Sequence, residues 1–277
     1  MAASIRALDF LNGIVQTRGA GYFALADPDA LSDTQVCQIA EKAQEAGVDA
    51  FLVGGSLLMR DRLDQVVLQL KQRSELPVIL FPGGSNQLSP HADAILFLSL
   101  ISGRNPDLLI GEHVRAAPII RQYGLDPVAT GYVVVESGSY SSVQFMSGSF
   151  PIPRNKHDIA VAHALAAQYL GMHTLYLEGG SGAELPVPDK MIQAVRAHIE
   201  LPIIVGGGIH KPETAAAKVR AGANFIVTGT ALEKNARATL LKEIADAIRQ
   251  SATPKEKENG RDGRLNSIKA RRIAVES

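Results

Sequence analysis

The sequence has few features of a secreted, membrane-bound or nucleic-acid-binding protein. Among 277 residues, Cys37 is the only cysteine, which excludes an internal disulfide framework and is compatible with a reducing compartment. The 28 basic and 28 acidic side chains balance, so no overall field favours nucleic acid or an anionic membrane. No apolar run approaches the roughly 20 residues of a membrane helix, and the first residues do not resemble a signal peptide. We therefore expect a soluble, cytoplasmic protein.

Several common catalytic motifs are also missing from the sequence. It has no G-x-S-x-G, no P-loop and no G-x-G-x-x-G that opens a βαβ unit. The seven histidines show no metal-ligand spacing, and we interpret His157, His163 and His173 as structural. Cys37 lies in a predicted helix without an evident partner, which argues against a nucleophilic role.

The sequence does contain eight short apolar runs with helical stretches between them. The runs are Tyr22–Asp27, Ala50–Gly55, Pro77–Gly83, Ala94–Leu100, Ala129–Ser137, His173–Gly179, Pro202–Gly208 and Phe225–Thr230. This alternation is typical of an α/β fold, a parallel (β/α)8 or TIM barrel, which requires roughly 250 residues. We predict one barrel domain over residues 1–250 and a charged, disordered tail over residues 251–277.

Capping residues define the first predicted helices. Ser4 is the candidate N-cap of a helix over Ser4–Thr17, and Ser32 caps a second helix that Gly47 ends. The pattern Ala-Gly-x-(Asp/Asn) follows this second helix and returns at Ala221–Asn224, each time before a predicted strand. Such recurrence is typical of repeated βα units.

The connection between the third and fourth strands is irregular. Residues 83–93 are rich in Gly, Ser and Pro, which disfavours a helix, although parallel strands are normally joined by a dozen or more residues containing one. We therefore predict that the barrel lacks a regular third helix. The resulting gap suits a long apolar substrate, but a simple shortening without function explains it equally well.

Glycine-rich turns follow the last two predicted strands. In (β/α)8 barrels the loops after strands 7 and 8 form the usual phosphate site, where glycine lets backbone N–H groups approach an anion. We expect phosphate to bind at Gly207, Gly208, Gly229 and Thr230.

Glu178 ends the predicted sixth strand, on the face where barrel enzymes place their active sites. It is a candidate general base; alternatively, it only organises its loop by accepting backbone hydrogen bonds. Its neighbours form the rest of a candidate substrate loop: Tyr176, Leu177, Gly179, Gly180, Ser181 and Gly182.

Asp27 and Ser56 follow two neighbouring predicted strands. Hard oxygen ligands of this kind suit Mg²⁺, which takes one or two protein oxygens and otherwise water and phosphate oxygens. The alternative is that the Asp27-Pro28 pair forms only a turn or a helix cap.

Taken together, the motifs resemble the geranylgeranylglyceryl phosphate synthase family, in its larger archaeal and bacterial subgroup. The resemblance runs in order from about Gly21 to Asn235. It is carried by Asp27–Asp29, Val53–Ser56, Phe81–Gln87, Glu136–Ser139, Pro151–Pro153, Ala160–Ala164, Tyr176–Ala183 and Val205–Ile209. Ala30 stands where the family often has a lysine, so phosphate binding there is expected to be weaker or to use Arg154 or Lys156.

The resemblance implies a Mg²⁺-dependent prenyltransferase. Such an enzyme joins the 3-hydroxyl of sn-glycerol 1-phosphate to C1 of geranylgeranyl diphosphate or a similar donor, releasing diphosphate and giving an ether phospholipid precursor. Glu178 would take the hydroxyl proton, and Mg²⁺ at Asp27 and Ser56 would stabilise the leaving diphosphate. The prenyl chain would lie in the gap, against Ile95, Phe97 and the loop over residues 83–90.

The resemblance also favours a homo-oligomer, either a dimer or a hexamer. Two other functions remain open. One is a phosphosugar isomerase, lyase or synthase on the same barrel, and the other is a non-catalytic barrel that binds a phosphate ligand. The sequence lacks the DDxxD signature of the all-helical prenyl synthases.

Overall fold

A computed structural model describes residues 6–229 and 238–254 of the chain. Its strands are β1 (Gly21–Ala26), β2 (Ala50–Val53), β3 (Val78–Leu80), β4 (Ala94–Leu100), β5 (Asp126–Val134), β6 (Thr174–Glu178), β7 (Ile203–Gly206) and β8 (Phe225–Thr228). Its helices are α1 (Ala7–Arg18), α2 (Asp33–Ala46), α3 (Leu63–Arg73), α4 (Glu112–Tyr123), α5 (Ser142–Ser147), α6 (His157–Tyr169), α7 (Asp189–Arg196), α8 (Pro212–Arg220) and α9 (Ala238–Ser251). Thr230, Ser4 and most of the predicted tail lie outside the described residues.

The strands form a closed parallel barrel in which each pairs with the next along the chain. Closure comes from β1 and β8, which pair in the register Gly21↔Phe225. The predicted (β/α)8 fold is therefore confirmed. None of the helices in the described ranges is long and apolar enough to cross a membrane.

Alternating side chains along the strands form two apolar layers. One layer fills the barrel interior, where Phe23 of β1 stacks on Phe225 of β8 with ring centroids 4.7 Å apart. The other layer lies between the strands and the outer helices and includes Ile39 and Val66. Because the interior is packed with side chains, the barrel core is not itself a channel for a ligand.

Helix α1 covers the amino-terminal end of the barrel. Leu11, Ile14 and Val15 pack into the interior layer, and the Ala7 N–H donates to the Asp126 carboxylate over 2.5 Å at the start of β5. The helix begins at Ala7 rather than at the predicted Ser4, and Arg6 at the cap position makes no side-chain capping bond. The carboxyl ends of the strands thus form the open mouth.

The predicted caps of α2 are confirmed. Ser32 forms a capping box with Gln35, and Gly47 ends the helix with φ 85°, a left-handed conformation that favours glycine. The recurring Asp/Asn has a structural role as well. Asp49 accepts the Tyr22 N–H over 2.8 Å, and Asn224 accepts the Ile203 N–H over 3.0 Å, so each side chain bonds the start of the neighbouring strand.

The connection from β3 to β4 contains no helix, as the sequence predicts. Residues 81–93 form turns and bends, and the next helical segment is a π-helical turn (Asp107–Gly111) that leads into α4. The outer wall of the barrel is therefore open between α3 and α4.

Candidate active site

A cavity of about 360 Å³ occupies the mouth of the barrel. It is lined by groups from the ends of several strands, including Asp27, Ser56, Glu178, Gly207 and Gly229. Residues that are far apart in the sequence and were predicted as site residues are thus brought to one place.

Glu178 lies at the end of β6 and is 5% exposed. Its Oε1 accepts the Gly180 N–H over 2.5 Å, and Tyr132 and Tyr176 lie beside it. Burial raises the pKa of Glu178, although the Gly180 N–H and the two tyrosine hydroxyls oppose this change. A carboxylate with a raised pKa is a stronger base and is suited to general-base catalysis.

Three aromatic rings support Glu178 from inside the barrel. Phe81 stacks on Tyr176 with centroids 5.0 Å apart, and Tyr132 meets Tyr176 edge to face at 5.3 Å. Burial, together with the charge of Glu178, raises the pKa of both tyrosines, so their hydroxyls remain protonated. Tyr132 is a site residue that the sequence analysis missed, and a tyrosine within an otherwise apolar strand was its only signal.

The Tyr176 hydroxyl is buried beside the Glu178 carboxylate, whose pKa it lowers. It lies over Gly206, where a Cβ atom would be only 2.3 Å from the tyrosine oxygen. Because Tyr176 also lines the cavity, its hydroxyl faces both Glu178 and a ligand bound beside it.

The loop after β7 fits closely against the loop after β6. Gly207 and Gly208 have φ 87° and φ 70°, and a Cβ at Gly207 would lie 2.7 Å from the Gly180 nitrogen. The Gly179 N–H donates to the Gly206 carbonyl over 2.9 Å. Glycine is therefore required at position 207 both by its backbone conformation and by the space available.

Gly229, at the end of β8, is less constrained. Among the described residues, the atoms nearest to a Cβ there belong to the Leu25 side chain, at 3.3 Å or more. The residue lines the cavity, as does Thr228, whose hydroxyl is 2.6 Å from that of Tyr22.

Asp27 and Ser56 lie on the opposite side of the mouth. One Asp27 carboxylate oxygen accepts the Asp29 N–H over 2.8 Å, and a Cβ at Gly55 would lie 3.3 Å from the other. Burial raises the pKa of Asp27, and the backbone N–H groups of Asp29 and Ala30 oppose this. The Asp29 Oδ1 is also buried here without a partner among the described residues.

This donor set is compatible with Mg²⁺. It offers carboxylate and hydroxyl oxygens, which Mg²⁺ prefers, while a phosphate-bearing ligand and water would supply the remaining positions. The described ranges contain no cluster of three or more His, Cys, Asp or Glu residues, so a fully protein-built metal cage is not formed there.

Some predicted residues lie elsewhere. Leu177 points away from the cavity into the layer between strands and helices, because side chains alternate along β6. Ser181 and Gly182 line the cavity, whereas Arg154 and Lys156 do not. The Arg154 guanidinium instead donates to the Glu136 carbonyl over 2.9 Å.

A second, apolar cavity of about 190 Å³ opens where the helix after β3 is missing. Its walls include the predicted Ile95 and Phe97, the loop at Gly83, and Ala116 of α4. The predicted gap is therefore a defined cavity. The two cavities share Gly55, Ser56, Phe81, Tyr132 and Val143, so they adjoin in front of Ser56.

Helix α4 contributes the one histidine in the wall of the apolar cavity, within the part of the chain that the structure describes. His113 is 3.0 Å from the Ser99 hydroxyl through Nε2 and meets Phe97 edge to face, with centroids 4.5 Å apart. Burial lowers the pKa of His113, which favours the neutral imidazole in this apolar surrounding. The sequence analysis did not single out this residue.

Positive-φ glycines beside a buried carboxylate, at the carboxyl ends of the strands, are the arrangement typical of phosphate-binding (β/α)8 barrels. Comparison with known proteins then identifies the family. Residues 12–248 match the PcrB family. A geranylgeranylglyceryl phosphate synthase of Chitinophaga pinensis is 44% identical over 238 residues, which cover 86% of this chain and 94% of that protein. The chain belongs to the PcrB family, and the family resemblance seen in its motifs is confirmed.

Two archaeal proteins extend the comparison. The geranylgeranylglyceryl phosphate synthase of Thermococcus kodakarensis is 48% identical over 214 residues, or 77% of this chain and 84% of that protein. The crystal structure of (S)-3-O-geranylgeranylglyceryl phosphate synthase from Thermoplasma acidophilum, in complex with its substrate sn-glycerol-1-phosphate, is 34% identical. It superimposes with a TM-score of 0.84 and covers 89% of this chain and 99% of its own.

Proposed function

We propose that this protein is a prenyltransferase that joins sn-glycerol 1-phosphate to geranylgeranyl diphosphate. The observation that carries the proposal is the meeting of two unlike cavities at Ser56 and Tyr132. One is polar and lined with glycines, and the other is apolar. A reaction between a small phosphate and a long apolar diphosphate requires this combination.

The acceptor occupies the polar cavity. Backbone N–H groups near Gly207, Gly208 and Gly229 bind its phosphate, with Thr230 as a further predicted contact outside the described residues. The Tyr176 hydroxyl, which lies beside Glu178 in the cavity wall, contacts the glycerol portion. The relative from Thermoplasma acidophilum, crystallised with sn-glycerol-1-phosphate, supports this choice of acceptor.

Glu178 acts as the general base. It accepts the proton of the 3-hydroxyl while that oxygen forms a bond to C1 of the donor. The bond between C1 and the diphosphate oxygen breaks, and its electron pair leaves with the diphosphate. The product is an ether, and the proton remains on Glu178 until solvent removes it.

Asp27 and Ser56 would hold Mg²⁺ beside the diphosphate. When bound there, Mg²⁺ neutralises the charge that grows on the leaving diphosphate. This assignment is supported by the oxygen donors at this position of the described lining of the polar cavity. His210 is the one residue of that described lining able to carry a positive charge.

The prenyl chain extends from Ser56 into the apolar cavity. Burial is favourable by about 0.8 kcal/mol for each CH₂ removed from water, so a long chain in this cavity contributes much of the donor affinity. The same cavity argues against a phosphosugar isomerase, lyase or synthase, because a phosphosugar has no group to fill it.

The proposed enzyme is a homo-oligomer, either a dimer or a hexamer. Large exposed aromatic side chains on the segment around α5 support self-association, with Phe150 90% exposed and Tyr140 72% exposed. Sedimentation at micromolar concentration tests this, and a monomer would contradict it.

The activity is tested by incubating the purified protein with Mg²⁺, sn-glycerol 1-phosphate and labelled geranylgeranyl diphosphate. We expect an ether product. Its formation should stop when EDTA is added, or when glycerol replaces sn-glycerol 1-phosphate. Glyceryl ether formation distinguishes the proposal from both alternatives, since neither of them consumes a prenyl diphosphate. No product under any of these conditions would overturn it.

A further inference from the structure

Gln87 lies in the helix-free connection between β3 and β4 and is 3% exposed. Its carboxamide bonds the backbone on both sides of Gly55. The Gly55 N–H donates to the Gln87 Oε1 over 3.3 Å, and the Gln87 Nε2 donates to the Gly55 carbonyl over 2.8 Å. The same Oε1 accepts the Gly83 N–H over 3.2 Å.

The Gln87 carboxamide makes hydrogen bonds with the backbone just where the β2–β3 strand pairing ends. The last residue pair between β2 and β3 is Val53↔Leu80. One further backbone bond, from the Phe81 N–H to the Val53 carbonyl, follows it. Beyond this point the segments that follow β2 and β3 are no longer paired as strands. A carboxamide presents a donor and an acceptor in one plane, as a peptide group does, so Gln87 pairs with Gly55 in place of a neighbouring strand.

The segment that Gln87 holds is also tightly packed. A Cβ at Gly83 would lie 2.4 Å from the Gly55 carbonyl and 2.9 Å from the Ser56 carbonyl. On its other side, the same loop is held by α4, since the Ser85 N–H donates to the Glu112 carboxylate over 2.5 Å. The loop therefore cannot move without displacing the backbone of Gly55 and Ser56.

We propose that Gln87 is a positioning residue that fixes the Ser56 backbone for the diphosphate–Mg²⁺ end of the donor, and fixes the adjoining wall of the apolar cavity. The inference rests on the proposed function, because the role of Ser56 comes from it. Gln87 itself does not line either cavity. It acts through Gly55, and its loss affects the donor rather than the acceptor, whose site lies across the mouth.

The test compares Gln87→Met with Asn224→Leu. Both substitutions remove a carboxamide with little change in shape. Asn224 is a matched control because it is 8% exposed and also bridges backbone groups, but at the closed end of the barrel. Calorimetry measures binding of Mg²⁺ with inorganic diphosphate and, separately, of sn-glycerol 1-phosphate. Steady-state kinetics give KM for both substrates, and thermal unfolding gives Tm.

For Gln87→Met we expect weaker Mg²⁺–diphosphate binding and a higher donor KM, each by about tenfold or more, because small displacements of positioning groups are costly. Binding of sn-glycerol 1-phosphate should stay within about twofold of wild type, since mutations without a shared partner act independently. Asn224→Leu should lower Tm without changing the binding of Mg²⁺–diphosphate or of sn-glycerol 1-phosphate. The inference is overturned if Gln87→Met binds Mg²⁺–diphosphate as wild type does, or if it affects both ligands equally.

A second variant keeps the inference testable should Gln87→Met fold poorly. Gln87→Glu retains the shape and the acceptor, but its ionised form has no donor for the Gly55 carbonyl and repels it. Protonation restores that donor, so the defect relative to wild type should shrink as the pH falls. A defect that is independent of pH would contradict the proposed hydrogen bond. Calorimetry also separates the two proposals, because Mg²⁺–diphosphate binding can be measured even if wild type forms no ether product.

Discussion

The two sides of the barrel mouth are built in opposite ways. On the side of β6 to β8, short loops fit closely together, and Gly207 leaves room for the Gly180 nitrogen and the Glu178 carboxylate. On the side of β2 to β4, a helix is missing and an apolar cavity takes its place. In the proposed function, the closely fitted backbone binds the small phosphate, and the gap in the barrel wall holds the long apolar chain. The following substitutions test this contrast.

The largest effect is expected from Glu178→Gln, which keeps the shape of the side chain and removes its basicity. Turnover should fall by about 10²- to 10⁴-fold, with acceptor binding little changed. The exposed carboxylate of Glu136, one strand away, provides the control Glu136→Gln. Turnover of Glu178→Gln near that of wild type would exclude Glu178 as the base.

Although Glu178→Gln should lower turnover, it should increase the stability of the folded protein. Burial raises the folded-state pKa of Glu178 above its value of 4.5 in an unfolded chain, so the folded state binds the proton more tightly. The resulting stabilisation is fully present below pH 4.5 and is lost as the pH rises through the folded-state pKa. A neutral Gln removes this loss, so Tm at pH 8 should increase by about 2–4 °C per kcal/mol recovered. Thermal unfolding at pH 4 should show a smaller difference.

The glycine loops can be tested with a matched pair. Gly207→Ala places a Cβ 2.7 Å from the Gly180 nitrogen at φ 87°. For Gly229→Ala, the nearest atom among the described residues is in the Leu25 side chain, at 3.3 Å. We expect the acceptor KM to rise by about 10²-fold for Gly207→Ala and by severalfold at most for Gly229→Ala. Donor KM serves as the internal reference. Equal effects of the two variants would show that backbone fit does not govern phosphate binding.

The opposite side of the mouth is tested by filling its cavity. Ala116 lines the apolar cavity, whereas its neighbour Ala117 is exposed, so Ala116→Phe and Ala117→Phe form a matched pair. Ala116→Phe should shift preference by about tenfold from geranylgeranyl toward farnesyl or geranyl diphosphate. The phenylalanine ring would fill space in the cavity, so that a few CH₂ groups of the longer chain are no longer buried. Competition between the donors measures this shift. An unchanged preference would place the prenyl chain elsewhere.

The smallest effect is expected at His210, which lines the polar cavity but is exposed. If backbone groups dominate phosphate recognition, His210→Gln should raise the acceptor KM by only about two- to fivefold, as for an exposed charge pair. The exposed His198 of the α7–β7 connection provides the control His198→Gln. A much larger loss at His210 would show that this side of the mouth relies on a charge.

The barrel and its irregular unit could be predicted because they depend on local sequence. The apolar runs fixed the strand order, and β4 has the predicted bounds Ala94–Leu100. Gly, Ser and Pro in residues 83–93 disfavoured a helix, and none forms there. The end of α1 was predicted within one residue, but its start was not, because no capping side chain marks it.

Much of the candidate site could also be predicted, since it follows strand ends. Its remaining parts depend on register and on long-range packing. Leu177 was placed with its neighbours by sequence proximity, although alternation along β6 turns it outward. Tyr132, His113 and Gln87 act through contacts with residues distant in the sequence. Apart from the tyrosine within the apolar run at position 132, the sequence contains no signal for such contacts.

Helix α1, which covers the amino-terminal end of the barrel, lies at the same end as residues 7 and 253. A Cβ at Gly19 would lie 2.2 Å from the Thr253 carbonyl, and the Asn224 amide donates to the Gly19 carbonyl over 3.1 Å. Residue 7 is held at the same end through Asp126. Attachment of the folded barrel near residue 7 or residue 253 therefore leaves its mouth facing away from the point of attachment. If the barrel is attached to beads or to a second enzyme near residue 7 or residue 253, its mouth therefore remains accessible to a lipid surface.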